Sequence, residues 1–355
     1  MIDFVAQISF DGIKKEKKIY LDTSSKKNPS FYAVKSYQDQ KIQIKYSISN
    51  SNEFIKETSD KKFLILAFIF AEDRVKLRQI LKIPDEDIKT DPELLLDLYL
   101  KHGENQLKIL SRGFVFVLVD YHKKTVKAFR DHIGIKNICY YQLDNTIYLS
   151  SSFKNLFNLS HLSHTLNQDK VNHFLNFNDR SPSDTFTNEI KKVPPMKALK
   201  FSEEKINIYQ YSNYETNRSP IPHSNQAKEL KNLLTQSVAI EESSNHSRIG
   251  FLFSGGIDSS TIIALFRKQK RPNEEIFSFS AQYTHIDKNI KHLIDESEFQ
   301  NEITKLNDVN EFSFNGEDES TLSNLDLYLE IIGQPFFFPN LYLPNRAFNL
   351  AKENN

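Results

Sequence analysis

The sequence predicts a two-part α+β and α/β protein, a strand-rich first domain followed by a domain built on a parallel sheet. Three observations carry this. Four strand patterns crowd into residues 114–150. Residues 212–225 are rich in Ser, Asn and Pro and carry no apolar period, as a linker does. Beyond them strand and helix patterns alternate, the signature of βαβ units. A chain of 355 residues also exceeds one ordinary core.

Taken in order, residues 4–10 alternate and end on the turn signal Asp11-Gly12, so they predict a strand. Residues 41–47 alternate as a half-buried strand, and 63–70 form a continuous apolar run suited to a strand buried on both faces. Helical spacing covers 73–81 and 91–102, the second opening with Asp91 as N-cap and Pro92 at N1. Strands follow at 114–120, 125–130, 138–142 and 146–150, the last two joined by a turn at Leu143-Asp144-Asn145. Residues 169–175 predict a helix, and 190–201 hold Pro194-Pro195 and a further strand. After the linker come a helix (226–241), a strand (248–253), a helix (259–268), a strand (276–283) and a helix (296–306). These give domains at 1–211 and 226–355, with the linker at 212–225.

Composition excludes several classes. Hydrophobic residues make up 39% and charged residues 26%, a globular balance. Basic and acidic side chains number 46 each, so no global field draws nucleic acid or an anionic membrane. One cysteine, Cys139, cannot form an internal disulfide. No signal-like N-terminus and no run of about 18 apolar residues is present. The expectation is a soluble cytoplasmic protein with neither nucleic acid nor membrane as partner.

The chemistry concentrates in Phe253-Ser254-Gly255-Gly256-Ile257-Asp258-Ser259-Ser260, between a strand and a helix. Gly255 and Gly256 allow close approach of backbone to an anion and positive φ. Successive N–H groups form an anion nest, and the helix from Ser259 adds its dipole. Ser254, Ser259 and Ser260 can donate to phosphate oxygens. Asp258 would repel phosphates unless it holds a Mg²⁺ that binds them too. The plainer reading is a tight strand-to-helix turn with a Ser or Asp cap. The full string in its strand–loop–helix setting favours the anion site. It is not the GxxxxGK(S/T) loop, since no Lys follows the glycines, so transfer of a γ-phosphoryl group is not indicated.

The string resembles the SGGxDS pyrophosphate loop of ATP pyrophosphatases, which form acyl-adenylates. Its surroundings narrow the resemblance. Arg112-Gly113-Phe114, Arg130-Asp131-His132-Ile133-Gly134 and Tyr140-Tyr141 are similar to the glutaminase-type domain of class B asparagine synthetases. So are Tyr148-Leu149-Ser150-Ser151 and Ile190-Lys191-Lys192-Val193-Pro194-Pro195. Ser278-Phe279-Ser280-Ala281, Asp295-Glu296, Gln334-Pro335 and 346–351 are similar to the synthetase domain. The resemblance implies an N-terminal αββα sandwich of the N-terminal-nucleophile hydrolase type. It implies a second domain of adenine-nucleotide α-hydrolase type. Function would be ATP-dependent amide ligation, with ATP and Mg²⁺ as cofactors. The loop would bind pyrophosphate through Ser254, Gly255, Gly256, Ser259 and Ser260, Asp258 would bind the metal, and backbone near Leu252 and Ala281 would hold adenine.

Three departures from that family stand out. Its glutaminase uses an N-terminal cysteine nucleophile, whereas residue 2 here is Ile2, so no catalytic nucleophile is assigned. Cys139, in a predicted strand, reads as core packing. The family's glutamine-holding Asn-Gly-Glu segment would fall on Leu66-Ala67-Phe68-Ile69-Phe70-Ala71, which has no polar group for an amide. The first domain is therefore expected not to hydrolyse glutamine. β-Lactam synthetases and lasso-peptide cyclases share such loss and use an amine within the substrate. Finally, family members continue into an acidic SGxGxDE-like loop and a region with a catalytic Lys, and this sequence stops at Asn355. The second domain is expected to be incomplete, either because this is a fragment or a truncated gene product or because a homodimer partner or second chain supplies the missing half.

Among other residues, Arg130 and Asp131 read as a buried pair shaping a turn and His132 as a structural loop histidine. His161 and His164 lack further ligands at zinc spacing. Asp295 and Glu296 either lie near the ATP site or start a helix favourably. Phe336, Phe337 and Phe338 read as core or an uncovered face. The expected reaction joins a small-molecule or peptide carboxylate, activated by adenylation, to an amine or ammonia. The rivals are a cyclase using the substrate's own amine and an inactive remnant that binds nucleotide or a partner.

Overall fold

Residues 4–10, 30–37, 42–49, 52–84, 86–202, 205–212, 222–242, 248–269, 275–306, 308–338 and 340–354 are described in the computed structural model. The chain divides into two compact units, Met1–Thr216 with Ile332–Gln334, and Asn217–Ile331 with Pro335–Asn355.

The first unit comprises β1 (Phe4–Ser9), β2 (Ser30–Tyr37), β3 (Ile42–Ser49), β4 (Ile55–Glu57), β5 (Phe63–Phe68), α1 (Ala71–Leu81) and α2 (Asp91–His102). It continues through β6 (Val115–Asp120), β7 (Thr125–Arg130), β8 (Cys139–Leu143), β9 (Thr146–Ser150), α3 (Phe153–Phe157), α4 (Gln168–Leu175), β10 (Lys191–Lys192), β11 (Lys197–Ser202) and β12 (Lys205–Gln210). Its strands form two six-stranded sheets, β10-β8-β9-β1-β3-β2 and β12-β11-β7-β6-β5-β4, with antiparallel pairing.

Period-two alternation gives each sheet two apolar faces. Phe4, Ala6 and Ile8 of one sheet meet Leu64, Leu66, Val117 and Val119 of the other in a shared core. The reverse face of the second sheet, through Ile65, Ala67, Phe116 and Phe129, packs with Leu77, Leu94, Leu95 and Leu98 of α1 and α2. Val5, Cys139, Tyr141 and Tyr148 on the reverse of the first sheet pack with Phe153 and Leu156 of α3. The result is an αββα sandwich. The run at 63–70 is buried on both faces for this reason, although the strand stops at Phe68.

Asp91 is not the N-cap of α2. Thr90 is, with Asp91 and Pro92 inside the first turn. The Asp91 carboxylate is used elsewhere, accepting from the Ile69 N–H at 3.0 Å and from Arg74 at 2.5 and 3.1 Å. Glu93 instead reaches back to accept from Thr90 N at 2.9 Å and Thr90 Oγ1 at 2.8 Å. Burial works against its ionisation, but these bonds and Lys56 hold the Glu93 carboxyl below its usual range. A depressed pKa contributes stability that is complete above the unfolded value and lost as pH falls through the folded one. Glu93→Ala is expected to lower stability by about 1 kcal/mol at neutral pH. In urea unfolding, the gap from wild type should narrow as pH drops below about 4.3. A gap that ignores acidification would show that the carboxylate is not the cap.

The second unit runs α5 (His223–Glu242), β13 (Arg248–Leu252), α6 (Ile257–Gln269), β14 (Glu275–Gln282), α7 (Lys288–Ile294), α8 (Ser297–Leu306), β15 (Asn310–Asn315), α9 (Leu325–Ile332) and α10 (Tyr342–Glu353). Its sheet is parallel, in the order β13-β14-β15. Ile276 meets Val238, Leu265 and Phe266 from α5 and α6 on one face. Phe277 and Phe279 meet Ala347 of α10 on the other, with Phe312, Phe314 and Leu350 against them. Helices therefore cover both faces, as an α/β layer requires.

Two boundaries differ from expectation. Helix α5 begins at His223, inside the stretch read as linker, whose residues 213–221 lie outside the described residues. Helix α6 begins at Ile257 rather than Ser259. Its earlier start places Asp258 within the first turn. No helix among the described residues is long and apolar enough to cross a membrane.

Candidate functional site

The glycine-rich loop lies at the C-terminal end of β13, where ligands bind in open parallel sheets. Gly255 has φ +91°, a region side chains avoid. Its environment excludes them as well. A Cβ there would lie 2.9 Å from Gln300 Cγ and 2.9 Å from the Glu296 backbone oxygen.

The loop's hydroxyls organise it. Gly256 N donates to Ser254 Oγ at 3.1 Å, and Ser259 Oγ donates to the Gly256 carbonyl at 3.2 Å. Ser254 Oγ and Ser259 Oγ are 3.2 Å apart, and Ser260 Oγ donates to the Gly255 carbonyl at 3.3 Å. Ser260 N donates to the Gly256 carbonyl at 3.0 Å, the first turn of α6. The earliest N–H groups of α6 have no carbonyl within the helix to donate to. They and the dipole favour an anion at this point. Asp258 is exposed in the same turn.

The structure thus brings Ser254, Gly255, Gly256, Ser259 and Ser260 into one hydrogen-bonded turn, with Asp258 at its rim. Leu252, 47% exposed, ends β13, and Ala281 lies near the end of the adjacent β14. The Ala281 carbonyl already accepts from Gln300 Nε2 at 3.2 Å, which leaves it one lone pair for a ligand. Ile2, the position of the family's nucleophile, lies outside the described residues.

The sequence does not assign one group of this site, Gln300, and leaves a second, Glu296, open between the ATP site and a helix start. Gln300 of α8 is 2% exposed, and its amide also donates to the Ser254 carbonyl at 2.9 Å. One side chain therefore ties the loop to the tip of β14. Glu296, four residues earlier, presents its carboxylate to Gly256, with its oxygens 3.7 and 3.9 Å from where a Cβ on Gly256 would stand. The i, i+4 spacing of two polar residues at the start of an amphipathic helix was the available signal. Asp295 is turned away, paired with Lys291 at 3.2 Å and capping Ser297 N.

The fit to MgATP can be judged from these groups. A cradle that only glycine fits, two rotatable hydroxyls and a helix N-terminus suit phosphate oxygens. Among the described residues no group of three or more His, Cys, Asp or Glu could hold a metal ion. Mg²⁺ commonly takes one or two carboxylates together with substrate phosphates, which the Asp258 side of the loop can supply. The residues fit the group.

The first unit presents different chemistry. Cys139 is 1% exposed, and burial pushes its thiol up to about 11, which opposes thiolate formation. Arg130 donates to the carbonyls of Lys136, Val193 and Gly134 and to Asn137 Oδ1 at 2.7–3.0 Å. Asp131 accepts from the N–H groups of Ile135 and Lys136. The pair shapes a turn. A cavity of about 400 Å³ lies beside it, lined by Ser111, Arg112, Asp131, His132, Ile133 and Met196. His132 Nδ1 is 3.3 Å from Tyr211 Oη, which donates to the Arg130 carbonyl. Burial lowers the His132 pKa against the opposing pull of Asp131. His161 contacts Tyr148 Oη and His164 stacks on Phe157, which accounts for both rings without a metal.

Comparison with known proteins bears on both units. A glutamine amidotransferase domain model matches residues 73–212, and an asparagine synthase model matches residues 229–354. The chain is 25% identical over 202 residues to glutamine-hydrolysing asparagine synthetase 3 of Bacillus subtilis, covering 56% of this chain and 33% of that protein. It is 24% identical over 251 residues to asparagine synthetase 1 of the same organism, covering 65% and 39%. The chain spans roughly a third of the length of these curated relatives. A solved B. subtilis glutamine phosphoribosylpyrophosphate amidotransferase with ADP and GMP aligns over 88% of this chain and 90% of that one. Its identity is 10% and its TM-score 0.39, too loose to bear on fold or function.

Proposed function

From the premise that this chain belongs to the class B asparagine synthetase family of carbon–nitrogen ligases, we propose that its second unit is the ATP-splitting half of an amide-forming site. The observation that carries this is the Gly255 cradle at the end of β13. In the proposed reaction a carboxylate oxygen of the substrate attacks the α-phosphorus of ATP. The bond to the β-phosphate oxygen breaks and pyrophosphate leaves. An amine nitrogen then attacks the acyl carbon, AMP departs and the nitrogen gives up a proton. Mg²⁺, when bound, would neutralise charge developing on the leaving pyrophosphate.

The chain's own groups have distinct parts in this proposal. The α6 N–H groups and the Ser254 and Ser259 hydroxyls hold the pyrophosphate. Asp258 holds the metal beside it. Backbone near Leu252 and Ala281 receives the adenine.

We propose that the first unit hydrolyses no glutamine. Support comes from Ile2 at the nucleophile position, the inert burial of Cys139 and the apolar 63–70 run. These favour a substrate amine over released ammonia, the arrangement of a cyclase. The acid and the amine themselves are set by surfaces other than this loop.

The test is product identity. With MgATP and a panel of small and peptide carboxylates, the protein is expected to release AMP and pyrophosphate rather than ADP and phosphate. Glutamate release from glutamine should stay at the level of a no-enzyme control. ADP as the nucleotide product would refute the adenylation reading, and glutamine-dependent glutamate release would refute the inactive first unit. Nucleotide binding without turnover across the panel would favour the remnant reading.

A further inference from the structure

Glu296 has a position that neither the loop motif nor helix capping explains. Its main chain is fixed against the loop, with its carbonyl oxygen 2.9 Å from the Cβ position of Gly255 and accepting from Gln300 N at 2.9 Å. The Gln300 side chain, 2% exposed, locks the same helical turn to the carbonyls of Ser254 and Ala281. Gln300 Oε1 is itself buried without a hydrogen-bond partner. The turn that carries Glu296 therefore cannot drift from the loop without breaking two hydrogen bonds and exposing a buried amide.

The carboxylate at the end of this rigid mount faces Gly256, 3.7 and 3.9 Å from the position of its absent Cβ. Among the described residues no hydrogen bond or ion pair engages it, whereas its neighbour Asp295 is paired with Lys291. Glu296 is itself exposed, yet an anion held this close to a phosphate cradle raises the free energy of a bound phosphate, because like charges repel at short range. The placement becomes favourable once a divalent cation lies between carboxylate and phosphate.

We propose that Glu296 supplies a second carboxylate, with Asp258, to the divalent cation that accompanies nucleotide phosphates on this loop. The inference rests on the reading of the loop given above.

Binding, rather than turnover, tests it. The 355-residue protein, its Glu296→Gln variant and a charge-matched control, Glu298→Gln, are titrated calorimetrically with ATP in Mg²⁺ and again in EDTA. Wild type and Glu298→Gln should bind more tightly in Mg²⁺. Glu296→Gln should lose at least about tenfold in Mg²⁺, the lower end of the cost of losing a partner at a metal site. In EDTA the same variant should bind ATP as well as wild type or better, since a repulsive charge is gone. A purely structural role predicts equal loss in both buffers and would overturn the proposal. So would unchanged affinity in Mg²⁺. If wild type binds ATP in neither buffer, the reading of the loop itself fails, and this inference falls with it.

Discussion

Gly255→Ala is expected to weaken MgATP binding by about 100-fold, roughly 2.7 kcal/mol, with a smaller loss of overall stability. Two causes combine. At φ +91° an alanine is strained, at a cost of about 1–3 kcal/mol. Its Cβ would also stand 2.9 Å from Gln300 Cγ and from the Glu296 carbonyl oxygen. The Gln300 contact could relax by a rotamer change. The Glu296 contact is backbone and moves only if α8 moves. Relief therefore comes either from flattening the loop, which ruins the cradle, or from shifting α8, which releases the clamp on Ser254 and Ala281. Gly256→Ala provides the comparison. Its nearest contact would be the Ser254 hydroxyl at 3.2 Å, and its φ is not in the left-handed region. It should cost clearly less. Equal effects at both positions would mean that the cradle geometry is not what binds the nucleotide.

The second large effect belongs to the first unit. Arg130→Met should destabilise it by about 3–5 kcal/mol, the range for breaking a buried charged network. Arg130 is 6% exposed and Asp131 fully buried. Methionine fills a similar volume but leaves the carbonyls of Lys136, Val193 and Gly134 and Asn137 Oδ1 without their donor. Asp131, fully buried, also loses a cation whose charge acts on it. Arg130→Lys should rescue little, because an ammonium cannot span acceptors arranged around a planar fork. Guanidinium chloride unfolding followed by near-ultraviolet circular dichroism would measure this. A change within about 0.5 kcal/mol, the usual range for surface substitutions, would contradict the structural role assigned to the pair.

The parts of the site that could be read from the sequence are those whose causes are local. Ser254, Gly255, Gly256, Asp258, Ser259 and Ser260 are contiguous, and the strand before them and helix after them have clear apolar periods. The groups that were not legible act across distance. Gln300 reaches Ser254 over 46 residues and Ala281 over 19, and only the packing of α8 beside β14 brings them together. Asp91 shows the same limit in the first unit. Its position before Pro92 suggested a cap, but Arg74 and the Ile69 N–H claim its carboxylate, and the cap passes to Thr90. Strand β15 escaped notice because four of its six residues are polar. Stacking of Phe312 on Phe279 at 5.5 Å, together with ladder pairing to β14, makes it a strand. The αββα layering was expected through the family resemblance, and the alternating faces of β1, β5 and β6 show why it forms.

Calorimetric titration of the unmodified protein with MgATP is the most direct measurement of the central claim, that the loop after β13 is a nucleotide pyrophosphate site. The account predicts saturable binding at one site per chain, lost or strongly weakened in Gly255→Ala while circular dichroism reports a folded protein. Absence of saturable binding at millimolar nucleotide, or binding that Gly255→Ala leaves intact, would contradict it.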